Sequence, residues 1–591
     1  MGLSSILSTS TAGLQAVQAQ LQWRTDNISN AQDPTYARRD AVTVAVGANS
    51  VSVDVRRASD DGLQNQFLSA NALSSASSTR QGYFQSIGDI VGTSQTTSYL
   101  QQALDNFTGA WKSFETDPSS TTSESQIVST GQTLAQTITE GAQQLTQLDT
   151  EVRTDIGNTV TDLNNKLQDL DKVNKQLGAE PLATSVDPGL FDQRDQLVRD
   201  ISSIVGVTRI IHSDGTVALY TETGTALLDH GAQQFQWNNA AGAQPWISLA
   251  PPAAAGGSAP GLNAGFSSGK LGAALNFIDG TYTAVASTDP NVGVLAKAKA
   301  QFDIVASQLA DNTVTPTAGL PQLNTFGGAY YYSQSDRPTD LMGGPAASWP
   351  GPPPTLPTTP LTAVPPTTVT TPMSSFFTID NGQIGPPLQP PSLTASQSFA
   401  INTSLVDGTA TVKRQAATSV IAALTDINRS MAVAQTGDTA AGSNVLLNMS
   451  QTYGLTVGMT VNGAGIPGGT IVQAIDPLNG TVTLNNAATV SNSTSPLSFN
   501  LVSLNVTNLT YSGLMSTIAN SQSSAQSAAS TDTTRLTQTT QTLDTRLSSK
   551  VGVNMDTEMA QLTVLQNAYA ANARVINTVQ AMFDTLIGIA K

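Results

Sequence analysis

Both ends of the chain carry an apolar stripe that advances by alternating steps of three and four residues. At the N-terminus the stripe is Leu3, Leu7, Leu14, Val17, Leu21 and Ile28, with Ser10 and Arg24 on the remaining seam positions. At the C-terminus it is Leu562, Leu565, Tyr569, Ile576, Val579, Phe583 and Leu586, with Asn572 the one polar intruder. Such spacing lines one face of a helix and suits packing along a second helix. Few apolar residues lie off the stripes, so neither end can build a core alone. The nearest partner for each end is the other end, which predicts a coiled-coil-like stem made from both. Leu14, Val17, Leu21, Ile28, Leu562, Leu565, Tyr569, Ile576, Phe583 and Leu586 are expected to carry that helix contact and, through it, subunit assembly.

A second helical region runs through about residues 127–177, with Ile138, Leu145, Leu148, Val152, Ile156, Val160, Leu163, Leu167, Leu170 and Leu177 on its seam and no proline until Pro181. A matching region precedes the C-terminal helix. Its Ser/Thr/Gln-rich stretch at Ser521–Thr545 is read as helix rather than disorder, because Leu536, Leu543 and Leu547 keep heptad spacing.

The middle changes character. A short helix around Phe191–Val205 leads into Val207–Ile211, then Asp214-Gly215, then Thr216–Tyr220, which reads as a hairpin with Asp-Gly supplying positive φ at the turn. Residues 238–269 read as loop, and helices are expected around Leu271–Tyr282 and Val294–Asp311. Gly343–Pro391 is Pro-rich and reads as a loop or extended linker. In the segment 441–502, β-branched runs alternate with turns, and Asn479-Gly480 marks a hairpin between Thr470–Val472 and Thr481–Leu484.

The expected class is therefore α+β and multidomain: a terminal helical stem formed by both chain ends, β-rich middle domains and a small all-β insertion. The expected divisions are a stem helix and extended segment at 1–60 and the first part of a helical rod domain at 61–205. A mixed β-rich middle domain follows at 206–440, then the all-β module at 441–502. The second part of the rod domain occupies 503–554 and the C-terminal stem helix 555–591.

Composition narrows the chemistry. The net charge is −16, the first lysine is Lys112 and no basic run occurs, so phosphate-backbone and anionic membrane partners are disfavoured. With no cysteine, disulfides, thiol nucleophiles and Cys-ligated metals are excluded. No apolar run is long enough to span a bilayer, so no membrane insertion is expected. The N-terminus has no positive n-region, so any export is expected to use a route without a cleaved signal.

Three catalytic-looking strings fail on context. Gly265-Phe-Ser267-Ser-Gly269 fits GxSxG, but a nucleophile elbow needs a preceding strand and a later histidine, and His212 and His230 both come earlier; a flexible surface loop is expected. Gly463-Ala-Gly465-Ile-Pro-Gly468 fits GxGxxG, but Pro467 and a strand-like run follow, so a β-turn is expected. Leu271 stands where a P-loop after Gly269-Lys270 needs Ser or Thr. Asp192, Asp195, Asp556 and Glu558 are read as solvated helix-face or helix-start charges rather than acid/base pairs. No catalytic residue, cofactor or metal site is expected.

Two terminal motifs are more specific. Asn27-Ile-Ser-Asn30-Ala31, followed by Pro34, Tyr36 and Arg38, resembles the N-terminal signature of the flagellar rod, hook and hook-associated proteins, with Thr35 where that family has glycine. Val553-Asn-Met-Asp556-Thr-Glu558-Met, then Gln566, Tyr569-Ala-Ala-Asn572-Ala-Arg574-Val-Ile576 and Met582–Leu586 resemble its C-terminal signature. Phe191-Asp-Gln-Arg-Asp-Gln-Leu-Val198, continuing to Val207, and Ser268–Gly272 are similar to hook-associated members. The resemblance covers about 1–330 and 500–591 and is absent from 441–502.

It implies a structural subunit, not an enzyme, that forms a junction zone between hook and filament and is needed for filament assembly. Its implied partners are copies of itself in a ring or helical zone, hook protein, hook-associated protein 3, the flagellar export apparatus and an export chaperone. Its implied location is extracellular, in the bacterial flagellum, after type III export. A hook or rod subunit is the alternative within the family, and a surface adhesin with a β binding module is the alternative outside it.

Overall fold

A computed structural model describes residues 3–47, 50–92, 98–179, 188–239, 246–249, 262–278, 293–310, 331–333, 376–379, 396–408, 410–412, 417, 420–421, 424–425, 432–449, 455, 458–476, 480–500 and 510–589. The chain opens with α1 (Leu3–Ser29) and a hairpin of β1 (Arg39–Gly47) and β2 (Ser50–Arg57). Helices α2 (Asp61–Val91), α3 (Tyr99–Thr116), α4 (Thr121–Ala179) and α5 (Pro188–Ile204) follow. Then come β3 (Val207–Ile211), β4 (Val217–Thr221), β5 (Ala226–Leu228), β6 (Phe235–Asn238) and β7 (Trp246–Leu249). Helices α6 (Gly269–Ile278) and α7 (Val294–Ala310) precede short elements: β8 (Tyr331–Ser333), β9 (Phe377–Ile379), β10 (Phe399–Ile401), α8 (Thr403–Val406) and β11 (Ala410–Val412). An all-β group holds β12 (Ala432–Thr439), β13 (Val445–Leu446), β14 (Thr460–Gly463), β15 (Val472–Asp476), β16 (Thr481–Leu484) and β17 (Asn492–Asn500). The chain returns through α9 (Tyr511–Val551) and α10 (Met555–Ile589). The fold is α+β, with every sheet antiparallel and two- or three-stranded.

The described chain forms two compact units. The first comprises residues 1–81, 153–275 and 529–591. There the seam of α4 is buried at Ile156, Val160, Leu163, Leu167, Leu170 and Leu177, and α5 buries Val198 and Ile201. Two asparagines on α4 clamp strands: Asn174 donates to the Val217 carbonyl and accepts from its N–H, and Asn164 does the same at Phe235. The first amide extends β4 past the point where its pairing with β5 ends, and the second covers the open side of β6. Helices α2 and α9 pack here through hydroxyls, with Ser77 and Ser74 facing Thr533 and Thr537, and Thr540 donating to the Ala70 carbonyl. The Ser/Thr/Gln-rich stretch of α9 is helical for this reason. Its hydroxyls also bond back to carbonyls one turn earlier, as Thr533 does to Ala529.

The second unit comprises residues 82–152 and 276–528. Its core is aromatic: Phe107 and Trp111 of α3 meet Phe376, Phe107 also meets Phe377, Phe114 packs edge-on to Trp111, and Phe377 stacks on Phe399 at 4.7 Å. Gly131 of α4 lies against this cluster, where a Cβ would come within 2.9 Å of the Phe376 ring. The all-β group forms two sheets, β12-β17-β14 and β13-β16-β15. The pairing of β12 along β17 runs from Ala432 to Thr439, so it begins ahead of the expected start of the module at residue 441.

Several expectations need correction. The Pro-rich stretch contains a real strand, β9, anchored by fully buried Phe376 and Phe377; most of the stretch lies outside the described residues. The loop expected at 238–269 contains β7, which pairs with β6. In the hairpin turn at Asp214-Gly215 only Gly215 takes positive φ (+84°), in a three-residue loop closed by His212 and Thr216. The GxSxG string is not a flexible surface loop: Phe266 is buried at 1 % exposure and Gly269 packs on the Ile204 carbonyl. The GxGxxG string is a turn, with Ile466 N–H on the Gly463 carbonyl. Of the hairpin at 470–484, β15 and β16 pair antiparallel, while Asn479 lies outside the described residues.

Candidate assembly site at the joined chain ends

Helix α1 packs along α10 and against the β1–β2 hairpin. Arg24 meets Glu558, and the Asn572 side chain lies 3.6 Å from where a Cβ on Gly13 would stand, so the two helices run antiparallel. Of the expected interface residues, Val17 is buried, and Leu14, Leu21, Ile28, Leu562, Leu565, Ile576 and Phe583 are half-buried. Tyr569 and Leu586 are exposed.

At one end of this pair lies a buried polar knot. Asn27 is fully buried and uses its whole amide. Its Oδ1 accepts from the Tyr36 hydroxyl (2.8 Å) and the Arg39 N–H (3.0 Å), and its Nδ2 donates to the Arg39 carbonyl (2.9 Å) and Glu558 (3.2 Å). Glu558 also takes two bonds from Arg24, at 2.9 and 3.0 Å, and Arg24 reaches Asp40. Asn554 caps α10 through the Thr557 N–H, which places Glu558 in the first turn, where the helix dipole favours a carboxylate. The Arg38 N–H donates to the Val551 carbonyl at the end of α9, so the N-terminal segment is tied to both C-terminal helices.

Helix α5 supplies the other half. Asp192 accepts from the Arg57 Nε (2.8 Å), Arg39 (3.3 Å) and the Ala37 N–H (3.3 Å). Cross-strand partners Arg39 and Arg57 thus share one carboxylate. Asp195 pairs with Arg57 (2.9 Å) and Arg194 (2.7 Å), and Arg194 bonds the Gly215 carbonyl. Arg39 also stacks over Tyr36 and Trp23. The solvated-charge expectation is therefore wrong for three of its four residues: Asp192, Asp195 and Glu558 are buried at 8, 5 and 0 % exposure, and only Asp556 is exposed. Each is tolerated there because arginines and amide donors meet it.

Thr35 replaces the family's glycine without strain. The turn closes from the Tyr36 N–H to the Asp33 carbonyl with Pro34 and Thr35 inside, and Asp33 accepts from the Thr35 N–H and hydroxyl. Thr35 does not adopt positive φ.

Two groups make the knot pH-sensitive. Burial alone would raise the Asp195 carboxyl, but Arg57, Arg194 and Arg209 outweigh it and hold it below its ordinary value. Burial pushes the Tyr36 phenol up to about 12, with Arg39 opposing and Asp26, Asp192 and Glu558 adding. A lowered carboxyl stabilises the fold above its unfolded value of about 4 and loses that effect as pH falls through the folded value. A raised phenol stabilises below its unfolded value of about 10 and loses that effect as pH rises towards the folded one. The denaturation midpoint of the unit that holds the knot should be flat across neutral pH, drop below about pH 4, and drop again between about 10 and 12. Tyr36→Phe should flatten the alkaline limb; an unchanged limb would show that Tyr36 does not titrate from this environment.

The seam carried a signal for the knot that the apolar pattern passed over. Arg24 occupies a seam position, and Glu558 lies four residues before Leu562, in phase with the C-terminal stripe. Among the described residues no group of three or more His, Asp or Glu side chains could hold a metal, and no helix is long and apolar enough to cross a membrane. His230 is exposed beside Asp229.

Two parts of the chain match known protein families. Residues 84–315 match the model of the flagellar hook-associated protein FlgK helical domain, and residues 548–589 match that of the flagellar basal body rod FlgEFG protein C-terminal region. Over that helical region the chain is similar to FlgK-type proteins. It is 27 % identical over 241 residues to flagellar hook-associated protein 1 of Escherichia coli, covering 38 % of this chain and 43 % of that protein. It is 23 % identical over 240 residues to the protein of the same name in Bacillus subtilis, covering 38 % and 47 %. The aligned region thus spans less than half the length of these relatives. The flagellar hook junction protein FlgK of Burkholderia pseudomallei superposes with a TM-score of 0.41 and 16 % identity, over 82 % of this chain and 98 % of that one. The FlgK-type helical region includes α5, which brings Asp192, Arg194 and Asp195 to the knot, and the rod-type match includes Glu558.

Proposed function

We propose that this chain is the structural subunit that joins the flagellar hook to the filament, and that filament assembly needs it. Copies of the chain form a short ring or helical zone, with hook protein below and hook-associated protein 3 above. The subunit reaches the cell exterior through the flagellar export apparatus, attended by an export chaperone. The observation that carries this reading is the closure of both chain ends into one antiparallel helix pair in a FlgK-type chain.

The outer side of that pair supports self-association. Val564, Val575, Met582 and Leu586 are exposed at 66, 42, 53 and 52 % along one stripe of α10. Between residues 559 and 589 the only charges are Arg574 and Asp584, and both lie roughly 80° or more off the stripe at 100° per residue. An uncharged face lets copies of a strongly acidic chain meet without repulsion. Val575→Glu should leave monomer stability unchanged, because the side chain is already exposed, yet cut filament number sharply; wild-type filament counts in that variant would remove the stripe from the interface. Immunogold labelling of isolated flagella tests the location. Label confined to one point between hook and filament is expected, and label along the hook or rod would instead favour a hook or rod subunit.

A further inference from the structure

We infer that the cavity between the turn at Asn30–Ala37, α2, α5 and the α9–α10 break is a carboxylate-binding site, held by the Arg199 guanidinium and the Gln64 amide. The inference goes beyond the junction reading and does not depend on it.

The cavity measures about 190 Å³, the liquid volume of roughly six waters. Besides the turn, its wall includes Ser59 and Gln64 at the start of α2, Asp195 and Arg199 of α5, and Ser548 where α9 ends. All of these residues belong to the first unit. Gln64 is 5 % exposed, and among the described residues its side-chain amide has no hydrogen-bond partner. The amide is not sealed within protein, so it opens on the cavity. A polar group held this deep is costly unless something in the cavity meets it.

Arg199 stands beside it. Its guanidinium lies 5.0 Å from the ring centre of Phe67, one turn along α2 from Gln64. Among the described residues that guanidinium makes no hydrogen bond, and its one ion pair, to Asp544, is long at 3.5 Å.

The other charges on the wall are already matched. Asp195 is met by Arg57, Arg194 and Arg209, and Asp33 accepts from the Thr35 N–H and hydroxyl. At the end of α9 the Ser548 and Val551 carbonyls accept from the N–H groups of Gly552 and Arg38. The groups left open are mostly donors: the Arg199 fork, the Gln64 NH2, and the hydroxyls of Ser59 and Ser548. They gather beside the first turn of α2, where the helix dipole favours negative charge. A planar guanidinium matches a carboxylate with two parallel hydrogen bonds. In a chain of net charge −16, this cavity therefore favours an anion. A free small carboxylate and an Asp or Glu side chain of another protein present the same group.

The test titrates the purified full-length chain with sodium acetate and sodium succinate, against sodium chloride of equal ionic strength. Binding is read by NMR at the Gln64 side-chain amide and by the thermal midpoint of the first unit. The inference expects saturable shifts with carboxylate and none with chloride. Arg199→Gln should weaken binding about tenfold or more, because a charge-assisted pair is lost; Gln64→Leu, read by the midpoint, should weaken it too. In chloride the Gln64→Leu midpoint should not fall, because the amide it removes has no partner. Succinate bound about tenfold or more tighter than acetate assigns the site to a free dicarboxylate; similar binding assigns it to a protein side chain. No saturable shift, or binding undiminished in either variant, would overturn the inference. A lowered Gln64→Leu midpoint in chloride would also overturn it, by making Gln64 an ordinary packing residue.

Discussion

Asn27→Ala should loosen the joined ends by about 3–5 kcal/mol, because it leaves the Arg39 N–H and carbonyl, the Tyr36 hydroxyl and one side of Glu558 without their partner in a buried site. Asn27→Asp should be at least as damaging. It keeps the acceptor, loses both donor bonds, and sets a second carboxylate beside Glu558. Global unfolding of a chain with two units is not a two-state event, so the effect is best read locally. Hydrogen exchange of the α1 and α10 amides should accelerate by about a hundredfold or more, while that of the α3 and β9 core stays as in wild type. Unchanged protection in α1 would mean that the helix pair is held by its apolar seam alone.

Removing one side of the Arg24–Glu558 pair should cost more than removing both. The side chains are 13 and 1 % exposed, so Arg24→Leu strands a buried carboxylate, and Glu558→Leu strands a guanidinium that retains only Asp40. Each single change should cost about 3–5 kcal/mol, and the double change to leucine should recover a large part, because two apolar groups then face each other on the seam. The coupling from this cycle measures the pair itself. If the two costs simply add, the ion pair is not what joins the ends.

The helices and their pairing were legible because their apolar periodicity is regular. Ile138 to Leu177 on α4 all proved buried, and the heptad leucines of α9 correctly outweighed its disordered-looking composition. The knot was hidden for a physical reason. Asp192, Asp195 and Glu558 look like surface charges in any local window, and only long-range partners, up to 534 residues away for Arg24 and Glu558, make their burial tolerable. Residues within the motifs that carry the family resemblance, Asn27, Tyr36, Asp192, Asp195 and Glu558, converge on that knot, so the motifs marked the site although the charge pattern did not explain it. Short strands such as β7 and β9 escaped notice because three or four residues inside a Pro- and Gly-rich stretch carry too little alternation to show.

Under the proposed role, the joined chain ends, locked by the knot, make this chain the platform on which the filament is built. Electron microscopy of a strain deleted for the chain is the decisive measurement. Hooks of normal length that bear no filament are expected, with filaments restored by the wild-type chain and not by Asn27→Ala. Full-length filaments on the deletion strain, or cells lacking hooks altogether, would contradict it.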